Sequence, residues 1–395
     1  MKITGIETFI VDAGWRPWEF VAVRTDSGIT GYGECSDGRA PHAVAGCVRD
    51  LTPVLLGRDP RAIELLNVDM GRVMKQNPGG IAQKAIAGVD AALWDVKAKA
   101  LDVPVYELLG GPTRDRVRLY WSHCGTSRAR SGALLGTPPL RSMADIHALG
   151  KEVVAKGYTA LKTNIVFPGE PSDVYFPGFV GEYAGSDPGQ VDLNLSPALL
   201  RHIETLIGTF RDAVGPDVGI ALDLNFNFRT EGFLRIAQAL EQFDMMWVEI
   251  DTYDPAALAE IKRSTRTPIC SGENLYTPKQ YKPFFEAGAM DVVMIDVPWN
   301  GLTVSKKIAD LAEVYELNVA PHNYYSHLAT LMGAHLCAVA SNVRIMEIDV
   351  DDVPWKDELI TERLEIADGV LRLPTRPGWG ADLDEEVARA HQWTR

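Results

Sequence analysis

The sequence predicts an α/β barrel, a modified TIM barrel, preceded by a separate α+β unit. From about residue 117 onward, short apolar runs alternate with helical segments, which favours a parallel sheet. Six of these runs end at or just before a titratable residue, at intervals of 23 to 26 residues. Such an interval suits one strand, one helix and two loops, and a barrel gathers its strand ends at one mouth. The first 115 residues lack this alternation and therefore form a unit of their own.

The N-terminal unit, residues 1–115, begins with alternating segments typical of strands. We predict strands over residues 4–11, 20–25 and 30–35, with a hairpin turn at 26–28. Apolar residues then recur at helical spacing over residues 81–101, which predicts a long helix. Two glycines and a proline at 110–112 indicate the boundary to the next unit.

The predicted barrel spans residues 116–348. Its first strand is expected over 118–122 and its second over 160–165, after a helix over 144–156. Residues 166–198 interrupt the alternation with many Gly, Pro and Asp residues, so we interpret them as a long insertion at the barrel mouth. The tail, residues 349–395, is expected to fold back onto the N-terminal unit.

The amino-acid composition is typical of a soluble globular protein. Of 395 residues, 46% are hydrophobic and 23% are charged, and no apolar run approaches the ~18 residues of a membrane span. A net charge of −14 argues against nucleic acid or an anionic membrane as a partner. The five cysteines form no CxxC pair, so neither a zinc site nor a disulfide framework is expected. The N-terminal segment lacks a signal-peptide core, and we expect a cytoplasmic protein.

Three carboxylates at consecutive strand ends predict an all-oxygen metal site. Asp223, Glu249 and Glu273 follow successive apolar runs, and oxygen ligands suit a hard cation such as Mg²⁺. Each residue alone could equally be a helix cap or a surface charge. Their joint occurrence in successive units favours a metal site. Asn225 points to the same side as Asp223 and could reach the metal, a water or the substrate, or could be a turn residue.

The next two strand ends predict an acid–base pair. Asp296 ends one strand and His322 ends the next, so the carboxylate can fix the imidazole tautomer while the other ring nitrogen moves protons. Lys162 and Asn164 alternate along the second strand and should both face the barrel interior. An interior lysine needs an anion, which the carboxylates or an acidic substrate would supply. His123, at the end of the first strand, could border the same mouth.

These residues resemble the enolase superfamily, specifically its mandelate racemase-like branch of acid-sugar dehydratases. The resemblance covers nearly the whole chain. It includes GYGE at 31–34, AALWD at 91–95 and LLGG at 108–111 in the N-terminal unit, which resembles the family's capping domain. In the barrel it includes the three carboxylates, the Asp296–His322 pair and Glu347. A homo-oligomer with one Mg²⁺ per subunit is what the resemblance implies.

The chemistry that the resemblance implies begins with removal of the proton α to a substrate carboxylate. A metal held by the three carboxylates, with Lys162 beside it, would stabilise the resulting ene-diolate. Glu347 would hydrogen-bond the substrate carboxylate as a protonated acid with a raised pKa. Residues 12–18 correspond to a loop that closes over substrates, so Trp15 and Arg16 could contact the far end of a sugar acid.

Two departures from the family pattern decide between reactions, and a third changes only the neighbour of a metal ligand. Racemases carry Lys-x-Lys on the second strand, but this chain has Asn164 at the second position. Some aldonate dehydratases carry a histidine where this chain has Asn225. Relatives commonly show Glu-Glu-Pro where this chain has Glu249, Ile250 and Asp251.

We therefore expect a sugar-acid dehydratase, a hydro-lyase acting on an aldonate or aldarate to give a 2-keto-3-deoxy acid. In this reading His322 removes the α-proton and protonates the leaving β-hydroxyl on the same face. A racemase, epimerase or cycloisomerase of a hydroxy acid is the alternative, and Lys162 could then be a second base. A non-catalytic ligand-binding barrel is the more distant alternative, disfavoured because binding alone needs no proton shuttle.

Overall fold

A computed structural model of the chain describes residues 1–179 and 192–394. The N-terminal unit begins with strands β1 (Ile3–Asp12), β2 (Pro17–Thr25) and β3 (Thr30–Glu34). Three helices and a 3-10 turn follow them: α1 (Pro41–Leu55), α2 (Ile63–Val73), α3 (Gly80–Ala100) and Val105–Leu109.

The three N-terminal strands form an antiparallel sheet in the order β1-β2-β3. Because Asp12 pairs with Pro17, the connecting loop is shorter than the predicted 12–18 and covers residues 13–16. Helix α3 packs directly on β3, where a Cβ at Gly31 or Gly33 would overlap the carbonyl oxygens of Ala92 and Gly88. These two glycines are therefore what allows the sheet and the helix to approach so closely.

The remaining strands and helices alternate along the chain. The strands are β4 (Arg116–Ser122), β5 (Ala160–Thr163), β6 (Val166–Phe167), β7 (Asp173–Val174), β8 (Gly219–Asp223), β9 (Trp247–Glu249), β10 (Ile269–Ser271), β11 (Val292–Asp296), β12 (Asn318–His322), β13 (Met346–Asp349), β14 (Ile366–Ala367) and β15 (Val370–Arg372). The helices are α4 (Thr126–Leu135), α5 (Met143–Ala155), α6 (Pro197–Val214), α7 (Thr230–Ala239), α8 (Pro255–Arg263), α9 (Thr277–Glu286), α10 (Val297–Asn300), α11 (Leu302–Val314), α12 (His327–Val339) and α13 (Glu385–Ala390), with 3-10 turns Leu240–Phe243 and Lys356–Leu359.

The barrel is built from parallel strands in the order β4-β5-β8-β9-β10-β11-β12, with β13 pairing β4. A parallel bridge between Val319 and Val343 joins β12 to the segment that enters β13 and so closes the ring. This is the predicted α/β barrel with an N-terminal α+β unit. Parallel closure places every strand's carboxyl end at the same mouth.

The C-terminal segment touches both units. Strand β15 pairs antiparallel with β4 of the barrel. The indole of Trp379 is buried and donates to the carbonyl oxygen of Tyr32 at 2.7 Å. Further along, the backbone N–H of Trp393 donates to the carbonyl oxygen of Ile10 at 2.8 Å. The domain limits 1–115, 116–348 and 349–395 stay a prediction.

The segment 166–198 contains the small hairpin β6-β7 and the approach to α6. Its central part, residues 180–191, lies outside the described residues, so the interpretation as one long insertion stays a prediction. In the part of the chain that the structure describes, no helix is both long and apolar enough to cross a membrane.

Candidate active site

A cavity of about 370 Å³ opens at the carboxyl ends of the barrel strands, beneath the N-terminal unit. Its wall includes the following predicted site residues: Trp15, His123, Lys162, Asp223, Asn225, Glu273 and His322. Other predicted residues stand behind this wall, in contact with those that form it: Arg16, Asn164, Glu249, Asp296 and Glu347. The sequence-predicted residues thus gather around one cavity.

The three predicted metal ligands lie side by side and are buried. Asp223 and Glu249 occupy paired positions at the ends of β8 and β9, and Glu273 follows β10 by two residues. Both Glu249 oxygens accept from the Lys162 ammonium, at 3.1 and 3.3 Å. Glu273 lies 3.2 Å from Nε2 of His322. Two cationic side chains therefore stand against this group of carboxylates.

Crowding of buried acids raises their pKa values. Burial and the nearby Asp251 carboxylate raise the pKa of Glu273 to about 8. Burial also raises the pKa of Glu249 well above its usual range, although Lys162 opposes the shift. Asp251 itself is buried, and its pKa is raised to about 7 by burial and by Asp223 and Glu249. A group of carboxylates this unfavourable to ionise would be stabilised by a bound cation.

The donor chemistry of this group fits a hard divalent cation. Buried carboxylate oxygens from three adjacent strand ends are the ligands that Mg²⁺ prefers. As the side chains stand, the described residues contain no set of three or more His, Cys, Asp or Glu groups close enough together to hold a metal ion. The reason is visible in the contacts above, because Glu249 is turned to Lys162 and Glu273 to His322.

The Asp296–His322 pair forms at the ends of β11 and β12. These two residues are paired in register, and Nδ1 of His322 lies 2.6 Å from Oδ2 of Asp296. The same carboxylate accepts from the Tyr325 hydroxyl at 2.6 Å and from the backbone N–H of Trp299 at 2.7 Å. Asp296 is thus held by three donors. Burial lowers the pKa of His322, but Glu273 and Glu347 outweigh it and raise that pKa to about 10.

Glu347 is surrounded by donors. Its carboxylate lies 2.8 Å from Nζ of Lys162 and accepts from the Asn323 N–H at 2.8 Å and from the Ser122 hydroxyl. Burial by itself raises the pKa of Glu347, but Lys162 and His322 lower it to about 2. The expectation of a protonated Glu347 with a raised pKa is therefore wrong for this arrangement. The Lys162 ammonium and the His322 ring outweigh both burial and the neighbouring acids.

The two predicted asparagines form one hydrogen-bonded group with Asp223. The Asn164 amide donates to the Asp223 carbonyl oxygen and to Oδ1 of Asn225, both at 3.2 Å. Asn225 in turn donates to the Asp223 carboxylate through its backbone N–H at 2.9 Å and its side chain at 3.1 Å. Asn225 borders the cavity, whereas Asn164 supports it from behind. Together they fix the orientation of Asp223.

The short loop between β1 and β2 reaches the cavity through one of its two predicted residues. Trp15 borders the cavity and packs against His123 and Tyr324, at ring-centroid distances of 6.3 Å each. Arg16 does not border it. Its guanidinium is fully buried and bonds Asp349 at 3.1 Å and Asp352 at 2.8 Å.

Sequence reasoning missed several residues of the site. Lys84 of α3 borders the cavity, lies 2.7 Å from Asp37 and stands 3.5 Å above the Trp299 ring. Asp349 lies two residues after Glu347 on β13, and that alternation was a signal that could have found it. No local pattern identifies Lys84, because its position depends on how the N-terminal unit sits on the barrel.

Comparison with known proteins places both units in one family. The model of the mandelate racemase / muconate lactonizing enzyme N-terminal domain matches residues 10–110. The model described as enolase C-terminal domain-like matches residues 145–387, more than half of the chain. The chain belongs to the mandelate racemase/muconate lactonizing enzyme family. The resemblance to the enolase superfamily drawn from the sequence is confirmed.

Individual members of this family are similar over nearly the whole length. D-xylonate dehydratase of Haloferax volcanii is 30% identical over 99% of this chain and 89% of its own. D-galactonate dehydratase of Ralstonia nicotianae is 30% identical over 98% of this chain and 93% of its own. A solved structure from Burkholderia xenovorans strain LB400, described as a candidate L-alanine-DL-glutamate epimerase bound to magnesium and fumarate, is 40% identical with a TM-score of 0.94. It covers 99% of this chain and 96% of that one.

Proposed function

We propose that this protein is a Mg²⁺-dependent sugar-acid dehydratase, a hydro-lyase that converts an aldonate or aldarate to a 2-keto-3-deoxy acid. The observation that carries the proposal is the position of His322. Its Nδ1 is bound to Asp296 at 2.6 Å, and its Nε2 lies 3.2 Å from Glu273. A proton carrier thus stands directly beside the buried carboxylates. Dehydratases of two sugar acids among the relatives support the same reaction.

Asp223, Glu249 and Glu273 would hold the Mg²⁺, because they are the buried oxygen donors at adjacent strand ends. A magnesium ion in the similar Burkholderia structure supports this assignment. When bound, the cation supplies positive charge that stabilises the ionised substrate carboxylate and its α-hydroxyl. Lys162, held between Glu249 and Glu347, adds a second positive charge on the other side of the group.

The reaction needs one proton carrier. Glu273 is the largest cause that raises the pKa of His322, and as a metal ligand it would no longer hold a proton on the ring. Nε2 of the neutral His322 ring takes the α-proton, and the C–H electron pair moves into the substrate to form the ene-diolate. The resulting imidazolium then gives a proton to the β-hydroxyl as the C–O bond breaks, and water leaves. The enol that remains tautomerises to the 2-keto-3-deoxy acid. Asp296 holds the ring through Nδ1, and the Tyr325 hydroxyl in turn donates to Asp296.

Epimerisation is the second candidate, favoured by the 40% identity to the Burkholderia protein. It requires a second base on the opposite face of the substrate. Lys162 is the side chain placed for that role, but two buried carboxylates hold its ammonium group. Asn164 follows Lys162 by two residues, directly after β5, and its carboxamide neither accepts nor releases a proton at neutral pH, so it cannot act as a base. These contacts favour dehydration.

The test is a screen of the purified protein with Mg²⁺ and a library of mono- and diacid sugars, with 2-keto acid formation as the readout. We expect at least one acid to be converted, and His322→Asn to lower the rate by at least about 10³-fold because the proton carrier is lost. The matched control is His327→Asn. His327 is also paired with an aspartate, Asp357 at 2.8 Å, but it is not among the described residues that line the cavity.

The outcomes separate the candidates. Each acid is also incubated in D₂O, and incorporation at the α-carbon is followed by NMR. Deuterium incorporation without 2-keto acid formation would support epimerisation and contradict dehydration. If neither product nor exchange appears across the library, the ligand-binding alternative gains support. Loss of activity in His327→Asn equal to that in His322→Asn would point to misfolding rather than to lost proton transfer.

A further inference from the structure

A buried chain of charged groups connects the loop after β1 to the cavity wall. Nη2 of Arg16 lies 3.1 Å from Oδ2 of Asp349. The other oxygen of that carboxylate, Oδ1, lies 2.8 Å from Nδ1 of His123. Arg16 and Asp349 are almost completely inaccessible to solvent, whereas the His123 side chain is 14% exposed and borders the cavity. The chain thus runs from a buried cation to a ring at the substrate site.

The chemistry of Asp349 determines where the proton of His123 lies. Burial raises the pKa of Asp349, but the His123 ring hydrogen-bonded to it and the Arg16 and Lys356 charges outweigh burial and hold that pKa below its usual range. An ionised carboxylate can only accept hydrogen bonds. Nδ1 of His123 must therefore carry a hydrogen and donate a hydrogen bond to Asp349. Among the described residues Nε2 has no hydrogen-bond partner, so in the neutral ring it offers a lone pair to the cavity.

The contacts of Arg16 hold its guanidinium in a fixed position beside Asp349. Its guanidinium stacks 3.8 Å above the Trp15 ring, and within the described chain its Nε and Nη1 atoms have no hydrogen-bond partner. The two carboxylates of Asp349 and Asp352 are what compensates its buried charge. A guanidinium has donors only. Arg16 therefore requires an acceptor at Oδ2 of Asp349, and this fixes the plane of the carboxylate that faces His123.

We propose that Arg16 and Asp349 are positioning residues that hold His123 as the Nδ1–H tautomer, so that its Nε2 accepts a hydrogen bond from a substrate hydroxyl. The proposal rests on the proposed function, because it assumes a polyhydroxy acid in this cavity. His123 and His322 both contact the ring of Tyr324, with centroid distances of 5.9 and 5.2 Å. His322 acts at the α-carbon, and His123 contacts a hydroxyl further along the sugar acid.

Replacing one atom of the carboxylate tests the tautomer directly. In Asp349→Asn the side-chain oxygen must face Arg16, which only donates, so the NH₂ group faces His123. Nδ1 then has to accept, and the proton moves to Nε2. NMR of ¹⁵N-histidine-labelled protein distinguishes the two tautomers, with the His123 signal assigned by its absence in His123→Gln. We expect Nδ1–H in the unmodified protein and Nε2–H in Asp349→Asn.

Asp352→Asn is the matched control. It removes a carboxylate charge from the same guanidinium, at a contact of 2.8 Å, and also from the Lys356 ammonium at 2.9 Å. Among the described residues, His123 forms its ion pair with Asp349 and has none with Asp352. We expect a fall in melting temperature at least as large as in Asp349→Asn, and no change of tautomer. Persistence of Nδ1–H in Asp349→Asn would overturn the proposal, and so would a tautomer change in Asp352→Asn. The NMR measurement of the tautomer needs no substrate. A negative NMR result therefore contradicts only the positioning role of Arg16 and Asp349, whereas the sugar-acid screen tests the proposed function.

Kinetics with the acid sugar converted in that screen test the consequence for binding. We expect Asp349→Asn to raise KM about tenfold and to change kcat less than about threefold, because the hydroxyl contact lies away from the reacting carbon. The double variant with His123→Phe should have the KM of His123→Phe alone, since both changes remove the same interaction. Additive effects, or a loss confined to kcat as expected for a second base, would contradict the proposal.

Discussion

Glu347 is held as an anion by the groups that surround it. Lys162 lies 2.8 Å away, and the Asn323 N–H and Ser122 hydroxyl also donate to it. We expected a protonated acid at this position from the resemblance alone. The structure indicates a different role, in which Glu347 and Glu249 together fix the Lys162 ammonium group at the edge of the cavity.

The substitution Glu347→Gln distinguishes these two roles. Glutamine keeps the shape and can donate a hydrogen bond, so it would replace a protonated acid well. It cannot neutralise Lys162, and an uncompensated buried charge is costly. We expect kcat/KM to fall by about 10²-fold or more, measured by 2-keto acid formation from the acid sugar found in the screen. A loss of less than about threefold would restore the protonated-acid role.

Single residues were predictable from the sequence where a strand end determines their position. Asp223, Glu249, Asp296 and His322 each end a strand, and parallel closure then brings them together without further information. Asp349 meets His123 across 226 positions of the chain, and Lys84 reaches the site from the N-terminal unit. Such contacts depend on how distant elements pack together, and the local sequence pattern carries no information about that packing.

At the scale of elements, glycines on β3 determine how closely this strand packs on α3. Gly33 faces the α3 backbone, where a Cβ would overlap the Gly88 carbonyl oxygen and also lie 2.8 Å from the Ala91 side chain. Backbone cannot move aside as a flexible side chain can. The separation of strand and helix is therefore fixed by the absence of a side chain at this position.

We expect Gly33→Ala to lower the free energy of unfolding by about 2–3 kcal/mol, because overpacking forces the helix away from the sheet. The matched control is Gly71→Ala in α2, where a Cβ meets nothing within 4 Å. That change should stabilise the helix by about 0.5–1 kcal/mol. Urea unfolding of both variants measures the two effects. Equal stability of Gly33→Ala and the unmodified protein would show that the contact is looser than described.

Element limits were predicted well where periodicity decides them. The helix predicted over 81–101 is observed as Gly80–Ala100, and the one over 144–156 as Met143–Ala155. The strand predicted over 20–25 begins earlier, at Pro17. Proline is disfavoured within strands, but the antiparallel partner Asp12 extends the hairpin over this residue. Pairing between strands overrode the local preference there.

At the scale of the whole molecule, His335 connects all parts of the chain. Its Nδ1 accepts from the backbone N–H of Tyr106 and its Nε2 donates to the carbonyl oxygen of Trp379, both at 3.1 Å. These contacts join the end of the N-terminal unit, a barrel helix and the C-terminal segment. A neutral imidazole satisfies both contacts, with Nδ1 as the acceptor and Nε2 as the donor. Protonation of Nδ1 would replace this acceptor with a second N–H group that faces the Tyr106 N–H.

Burial lowers the pKa of His335 from 6.5 to about 4, which makes stability depend on pH. A lowered histidine pKa gives a contribution that is complete above pH 6.5 and is lost as the pH falls from 6.5 toward 4. The loss is on the order of 3 kcal/mol. We expect His335→Gln to weaken this dependence in urea unfolding at pH 7 and pH 5. His147→Gln, an exposed change on α5, should leave it unaltered.

The fold class was predictable because one repeated interval governs most of the chain. The way in which the C-terminal segment joins both units was not, since contacts such as Trp379 to Tyr32 carry no periodic signal. The same holds for assembly. A homo-oligomer stays a prediction, and light scattering of the purified protein in solution would test it.

The first strand depends on residues that are synthesised long after it. Val11 bridges to Gln392, and the Trp393 N–H reaches the Ile10 carbonyl oxygen. On the ribosome, strand β1 therefore emerges without the residues that later cover its outer edge. Folding of the N-terminal unit during translation would leave that edge open, as a free sheet edge on which other nascent chains can pair.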